Sequence, residues 1–210
     1  LYTRNNWKVK HKDSGCTIHS RSFTKKLTAR FEDALVFATR FHQRQNNVDC
    51  IEYGAVFDVS ARYRYSLWRI WCAYQPRIVF VLLNPSTADG ERNDPTIRHC
   101  IGFARAWKFG SLEVVNLFAY RATDARELFK LNDPVGEENN YFLMQAVERC
   151  STVVVGWGTR GTLLGRDNQV MSLLAGRKDV YCLGNTKDGQ PRHPLYVKSD
   201  IIPVPFCVQL

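Results

Sequence analysis

Residues 77–96, RIVFVLLNPSTADGERNDPT, decide how this chain is built. Ile78 to Leu83 form an uninterrupted apolar run rich in β-branched residues, too short for a free-standing helix and too apolar for a strand with one wet face. Such a run predicts a strand buried on both faces. It stops at Asn84-Pro85-Ser86-Thr87, where Pro85 removes a backbone donor and the side chains of Ser86, Thr87 and Asp89 compete for local hydrogen bonds. The chain must turn there. In open parallel sheets ligands gather beyond the carboxyl ends of the strands, so this polar turn is the first place to seek chemistry.

Downstream the pattern alternates. A helix is predicted from Pro95 to Trp107, with Pro95 suited to its first turn and Ile97, Ile101 and Ala104 on one face. Strands follow at Leu112–Leu117, Thr152–Val155 and Val180–Leu183, separated by helices near Asp124–Leu131, Glu137–Cys150 and Leu163–Ala175. The expected fold of residues 54–210 is a three-layer α/β/α domain around a central four-stranded, mainly parallel sheet. Residues 54–71 alternate apolar and polar and predict two strands or a hairpin at its edge. Their aromatics Tyr63, Tyr65, Trp68 and Trp71 fit core packing better than nucleic-acid stacking.

Upstream lies a different segment. Residues 7–23 alternate around Asp13-Ser14-Gly15 as a hairpin would, and Phe31, Ala34, Leu35, Ala38 and Phe41 fall at helical spacing with Thr28 as a cap. Residues 1–48 are therefore expected to form a small ββα module, with residues 46–49 as a linker. Before Val48 there are ten basic and three acidic residues, which places +7 of the chain's formal +9 in its first quarter. A basic segment beside a nearly neutral domain suits a sequence-independent grip on a polyanion, so the expected partner is nucleic acid.

Composition excludes other classes. With 210 residues, 45% of them hydrophobic, the chain can bury one substantial core plus an appendage. No apolar run approaches the roughly 20 residues that span a bilayer, and the first residues lack a signal-peptide pattern, so no membrane partner is expected. Seven cysteines without a C-x-x-C pair suit a reducing, cytoplasmic setting and argue against a zinc or iron–sulfur site. No cofactor is expected. Gly156-Trp157-Gly158-Thr159-Arg160-Gly161 does fit G-x-G-x-x-G after a strand, but the acidic residue of a dinucleotide fingerprint is missing at Leu183-Gly184-Asn185.

Taken in order, YRYSLWRIW, VFVLLNPST, NDPTIRHC, VVNLFAYRATD, VVVGWG and TKDGQPRHPLY resemble a bacterial and phage family known mainly as a domain of unknown function. More distantly they resemble the uracil-DNA glycosylase superfamily, especially its mismatch-specific branch. There a hydrophobic strand ends in Asn-Pro or Asp-Pro, a later strand ends in Asn, and a His-Pro loop follows the last strand. The resemblance implies a uracil-DNA-glycosylase-like fold and cleavage of the N-glycosidic bond of a flipped, modified or damaged base, with DNA favoured over RNA. It implies roles for Asn84 in holding the attacking water, for His193 in donating to the departing base, and for Asn116 and Phe118 in reading and stacking the base beside Pro85 and Ser86.

Asn84 is uncharged and is no strong general base, so the reaction would rely on a good leaving group. Asp94 has two readings: a carboxylate that activates water, and the N-cap of the helix that begins at Pro95. Arg160, Lys187 and Arg192 are candidates for phosphate contacts. HPLY stands where the superfamily has a longer serine-containing motif, and NPST lacks the aromatic that screens out the thymine methyl, which leaves the base open. The rival functions are a non-catalytic nucleic-acid or nucleotide-binding protein and a metal-dependent hydrolase using Asp89, Asp94 and His193.

Overall fold

The structure, a computed structural model, describes the backbone of residues 35–40 together with residues 52–206. All of them lie in the compact unit Ala34–Leu210. The strands are β1 (Leu35–Arg40), β2 (Glu52–Asp58), β3 (Arg64–Ile70), β4 (Arg77–Leu82), β5 (Ser111–Asn116), β6 (Thr152–Gly156), β7 (Val180–Cys182) and β8 (Val204–Pro205). The α-helices are α1 (Pro95–Ala106), α2 (Asn139–Glu148) and α3 (Arg166–Leu173). One sheet runs in the order β1-β2-β3-β5-β4-β6-β7-β8. Its centre, β5-β4-β6-β7, is parallel, while β1 to β3 on one side and β8 on the other are antiparallel additions.

The apolar run of β4 is buried as its composition demands. Ile78, Phe80 and Leu82 face α1, packing with Ile97, Cys100, Phe103 and Ala104. Val79 and Val81 face the opposite way, into a cluster with Leu143, Ala146 and Val147 of α2 and Val170 and Met171 of α3. Three layers result. Each fully buried side chain of this size contributes on the order of 2 kcal/mol, so β4 alone anchors both halves of the core.

Several expectations need correcting. Among the described residues the expected four-stranded sheet is an eight-stranded mixed one, because the hairpin of residues 54–71 joins it through β3 and β5, and β1 and β8 add one strand on each side. Leu35 to Arg40, expected in a helix, form β1 against β2, with Leu35 opposite Asp58 and Arg40 opposite Tyr53. Sheet pairing there overrides helical spacing. The rest of the expected ββα module lies outside the described residues. Residues 125–130 and 159–165 are 3₁₀ turns, and α3 starts only at Arg166.

A buried carboxylate ties the sheet to its covering helix. Glu113 of β5, 2% exposed, accepts from Ser66 of β3 (2.7 Å), from Arg77 of β4 (3.0 Å) and from Arg149 just after α2 (2.8 Å). Removing it takes the shared carboxylate away from two part-buried guanidinium groups and a buried hydroxyl. Glu113→Ala is expected to cost about 3 kcal/mol of unfolding free energy, read as an earlier urea midpoint, with Glu113→Gln falling between it and the wild type.

Candidate active site

The turn after β4 is held by its own amide. Asn84 Nδ2 donates to the carbonyls of Pro85 (2.9 Å) and Ala122 (2.8 Å). Both partners only accept, so the amide orientation is fixed and Oδ1 is left without a protein partner among the described residues. Backbone bonds continue past the strand ends, with Leu117 N–H donating to Leu82, Phe118 N–H to Leu83 and Ala122 N–H to Pro85. Asn84 is thereby braced against the segment after β5.

The loop that follows is pinned by two buried arginines of β3. Arg64, 2% exposed, donates to the Ala88 carbonyl (2.8 Å), and Arg69 donates to the Asp89 carbonyl (2.8 Å) and to Asn93 Oδ1 (2.9 Å). Burial pulls the Arg64 guanidinium down to about 10, opposed by the nearby Asp94 charge, so it stays protonated at neutral pH. At the loop's end Asp94 caps α1: its Oδ1 accepts from Ile97 N–H at 2.8 Å. The cap occupies one carboxylate oxygen, and the side chain lines the cleft described below.

His193 arrives from the segment after β7. Its Nδ1 accepts from Leu195 N–H (3.3 Å), capping the short 3₁₀ turn Pro194–Tyr196. Burial lowers the imidazole to about 4, a shift that the charge of Asp94 opposes. The ring is therefore neutral at physiological pH, and because Nδ1 accepts, its proton sits on Nε2. The loop carrying His193 crosses the end of β6 closely. A Cβ on Gly156 would lie 3.0 Å from Pro194 Cδ and 3.1 Å from the Arg192 carbonyl, and one on Gly161 would lie 2.0 Å from Trp157 Cδ1. Trp157 Nε1 donates to Gln190 (2.7 Å), whose amide donates to Asp167 (2.9 Å). Gly156 and Gly161 are thus required by packing and Gly158 by its φ of +71°, and the G-x-G-x-x-G spacing leads into a 3₁₀ turn, with α3 starting only at Arg166.

Asn84, Ser86, Asp94 and His193 line one cleft of about 910 Å³, with the exposed Arg160 and Arg192 at its wall. It opens where the connections from β4 and β6 leave for opposite faces of the sheet, the place where open α/β sheets hold their ligands. Four expected site residues do not line it. Asn116 is 1% exposed and on the α1 side of β5; Phe118 is fully buried in the α2–α3 core, because the pairing of β5 with the β4 segment extends past its last residue. Pro85 is buried and contributes its carbonyl to the Asn84 brace. Lys187 is exposed on the loop after β7, outside the cleft lining. Sequence reasoning does not single out Arg64 and Arg69, although two arginines inside an aromatic strand, YRYSLWRIW, are a signal of buried guanidinium groups needing carbonyls.

Among the described residues no group of three or more His, Cys, Asp and Glu side chains is arranged to hold a metal ion, so Asp89, Asp94 and His193 do not form a hydrolase's metal set. Likewise, no helix among them is long and apolar enough to cross a membrane.

Residues 64–195 match a family described as a protein of unknown function, DUF1643. The chain belongs to that family. The matched DUF1643 region runs from β3, with its loop-pinning arginines, to the loop that presents His193, and so includes every cleft-lining residue named above. No curated protein and no solved structure matches the chain.

His193 also sets a pH dependence. Its folded-state value of about 4 lies below the ordinary 6.5, so the unfolded chain binds the proton first as pH falls. Stability should decline between pH 6.5 and about 4 by up to about 3 kcal/mol and show no further contribution from this group below that. In His193→Gln the pH profile, measured by urea unfolding, should be flatter by that amount.

Proposed function

We propose that this protein is a base glycosylase that hydrolyses the N-glycosidic bond of a flipped, modified or damaged base in DNA, on a uracil-DNA-glycosylase-like α/β/α core. The observation that carries this is the pairing, in one cleft, of a neutral imidazole with its proton on Nε2 and an amide oxygen, Asn84 Oδ1, left over from a fixed brace. Glycosidic cleavage needs that division of labour. As the C–N bond breaks, its electron pair goes to the base and positive charge gathers on the sugar. His193 Nε2–H donates to the base as it becomes anionic, and a neutral donor suffices because it need not release its proton. Asn84 Oδ1 accepts from a water molecule and directs it at C1′.

Asp94 supplies what Asn84 lacks. Asp94 is buried and lines the cleft, where its carboxylate opposes the positive charge on the sugar and takes up the water's proton. Oxygen adds to C1′, the base leaves with the electron pair, and the proton passes on to solvent or to the released base. Arg160 and Arg192 stand at the cleft wall, where a strand's phosphates would run.

The test is a panel of oligodeoxynucleotides, each carrying one modified base, incubated with the protein and then cleaved with alkali at abasic sites. The wild type should release at least one base. His193→Gln should slow release by 10²-fold or more, and Asp94→Asn, which preserves the cap acceptor, should slow it without lowering the thermal midpoint by more than a few degrees. Binding without release across the panel would replace this proposal with a non-catalytic nucleic-acid-binding role.

A further inference from the structure

A second, smaller cavity of about 320 Å³ adjoins the cleft. Ser86, Thr87, Ala122 and Thr123 line both, so the two are compartments of one groove. The smaller one is walled by Arg62 from the β2–β3 turn and by Arg121 from the segment after β5, and no carboxylate lines it. Arg121 is positioned by three contacts: its Nη1 donates to the Ala61 carbonyl (3.1 Å), its backbone N–H donates to the Arg62 carbonyl (2.9 Å), and its guanidinium lies 5.1 Å over the Phe57 ring. Its Nε is buried and has no hydrogen-bond partner among the described residues. Among the described residues the Arg62 side chain makes one long hydrogen bond, Nε to Ser60 Oγ at 3.3 Å. Neither guanidinium pairs with a carboxylate among the described residues.

The turn that presents Arg62 is itself strained. Ala61 has a φ of +56°, in the left-handed region that a residue with a Cβ seldom occupies. Two guanidinium groups and the hydroxyl side chains of Ser86, Thr87 and Thr123, with no carboxylate in the lining and Asp89 acting on Arg121 only from outside it, make a pocket for a tetrahedral oxyanion. Continuity with the cleft selects the form it takes.

The geometry points to a phosphodiester subsite: the smaller cavity takes the backbone phosphate of the nucleic-acid strand on one side of the nucleotide whose base occupies the cleft. This rests on the nucleic-acid reading of the cleft. Arg62 and Arg121 hold that phosphate, with Ser86 and Thr123 hydroxyls donating from the shared wall. Arg160 and Arg192, across the cleft, meet the strand on the other side.

Binding of a short, labelled, single-stranded oligodeoxynucleotide, followed by fluorescence anisotropy over a range of potassium chloride concentrations, tests the assignment. Deleting one cation that neutralises a phosphate should reduce the slope of log K against log salt by about 0.7. Arg62→Ala should weaken binding several-fold and reduce the slope by that amount, and adding Arg121→Gln should roughly double the reduction. Lys178→Ala, which removes an equal charge beside the amino end of β7, should leave the slope unchanged. Inorganic phosphate should compete more weakly against the double variant than against the wild type. Wild-type slopes in both arginine variants, with oligonucleotide still bound, would overturn the subsite and leave the base-release proposal standing. Altered slopes with no base released in the alkali assay would keep the subsite and remove the glycosylase. Absence of oligonucleotide binding by the wild type would overturn both.

Discussion

β4 has neither a free edge nor a free face. Parallel partners β5 and β6 take up its backbone on both sides, and helices cover both surfaces. A slip of one residue would exchange Ile78, Phe80 and Leu82 with Val79 and Val81, forcing large side chains into space shaped for smaller ones. Its register is therefore fixed, and with it the position of the residues that leave its carboxyl end. Every later feature of the cleft is placed relative to that end. The chain leaves β4 toward α1, while the chain leaving β6 goes toward α3 on the opposite face, and the gap between those departures is the cleft.

The gap stays open because the loops beside it are tied to one another instead of collapsing into it. On one side Asn84 Nδ2 locks the turn after β4 to the carbonyl of Ala122. On the other, Gly158 N–H donates to the Pro191 carbonyl (2.8 Å), and the Trp157–Gln190–Asp167 chain fastens the loop after β6 to the loop after β7. Behind the cleft, β3 supplies guanidinium groups that donate to the loop's carbonyls and to Asn93. The antiparallel strands added to the parallel core thus do more than lengthen the sheet. They carry the cations that hold the loop leading to Asp94, and the turn between β2 and β3 carries Arg62.

Which parts of this were legible in the sequence follows from what periodicity can encode. The buried run of β4, the cap and first-turn proline of α1, and the strands β5, β6 and β7 each leave a local pattern, and each lies within a residue or two of its expected span. The loops at the strand ends were legible because polar clusters interrupt apolar runs there; Asn84, Asp94 and His193 do meet in one cleft. Depth was not legible. Asn116 and Phe118 sit at the end of an apolar strand just as Asn84 does, but the sheet pairing runs on through Leu117 and Phe118, so both residues are swallowed where Asn84 emerges. The segment at Leu35–Arg40 fits helical spacing in the sequence, and its pairing with β2 makes it a strand instead. Two-residue β8 leaves no period at all.

Asp94 illustrates how two sequence readings can be compatible. N-cap of α1 and carboxylate for water activation are ordinarily alternatives, since a side chain committed to a helix end has little left to offer. A carboxylate has two oxygens, however, and the cap uses one of them, Oδ1, on Ile97 N–H. That bond fixes the rotamer of the side chain, and the fixed rotamer leaves the carboxylate in the wall of the cleft near His193. The capping bond is then the reason the side chain keeps its place in the cleft wall, because an uncommitted side chain would be free to rotate away. Asn84 follows the same logic with an amide, one end bonded to the scaffold and the other left for the cleft.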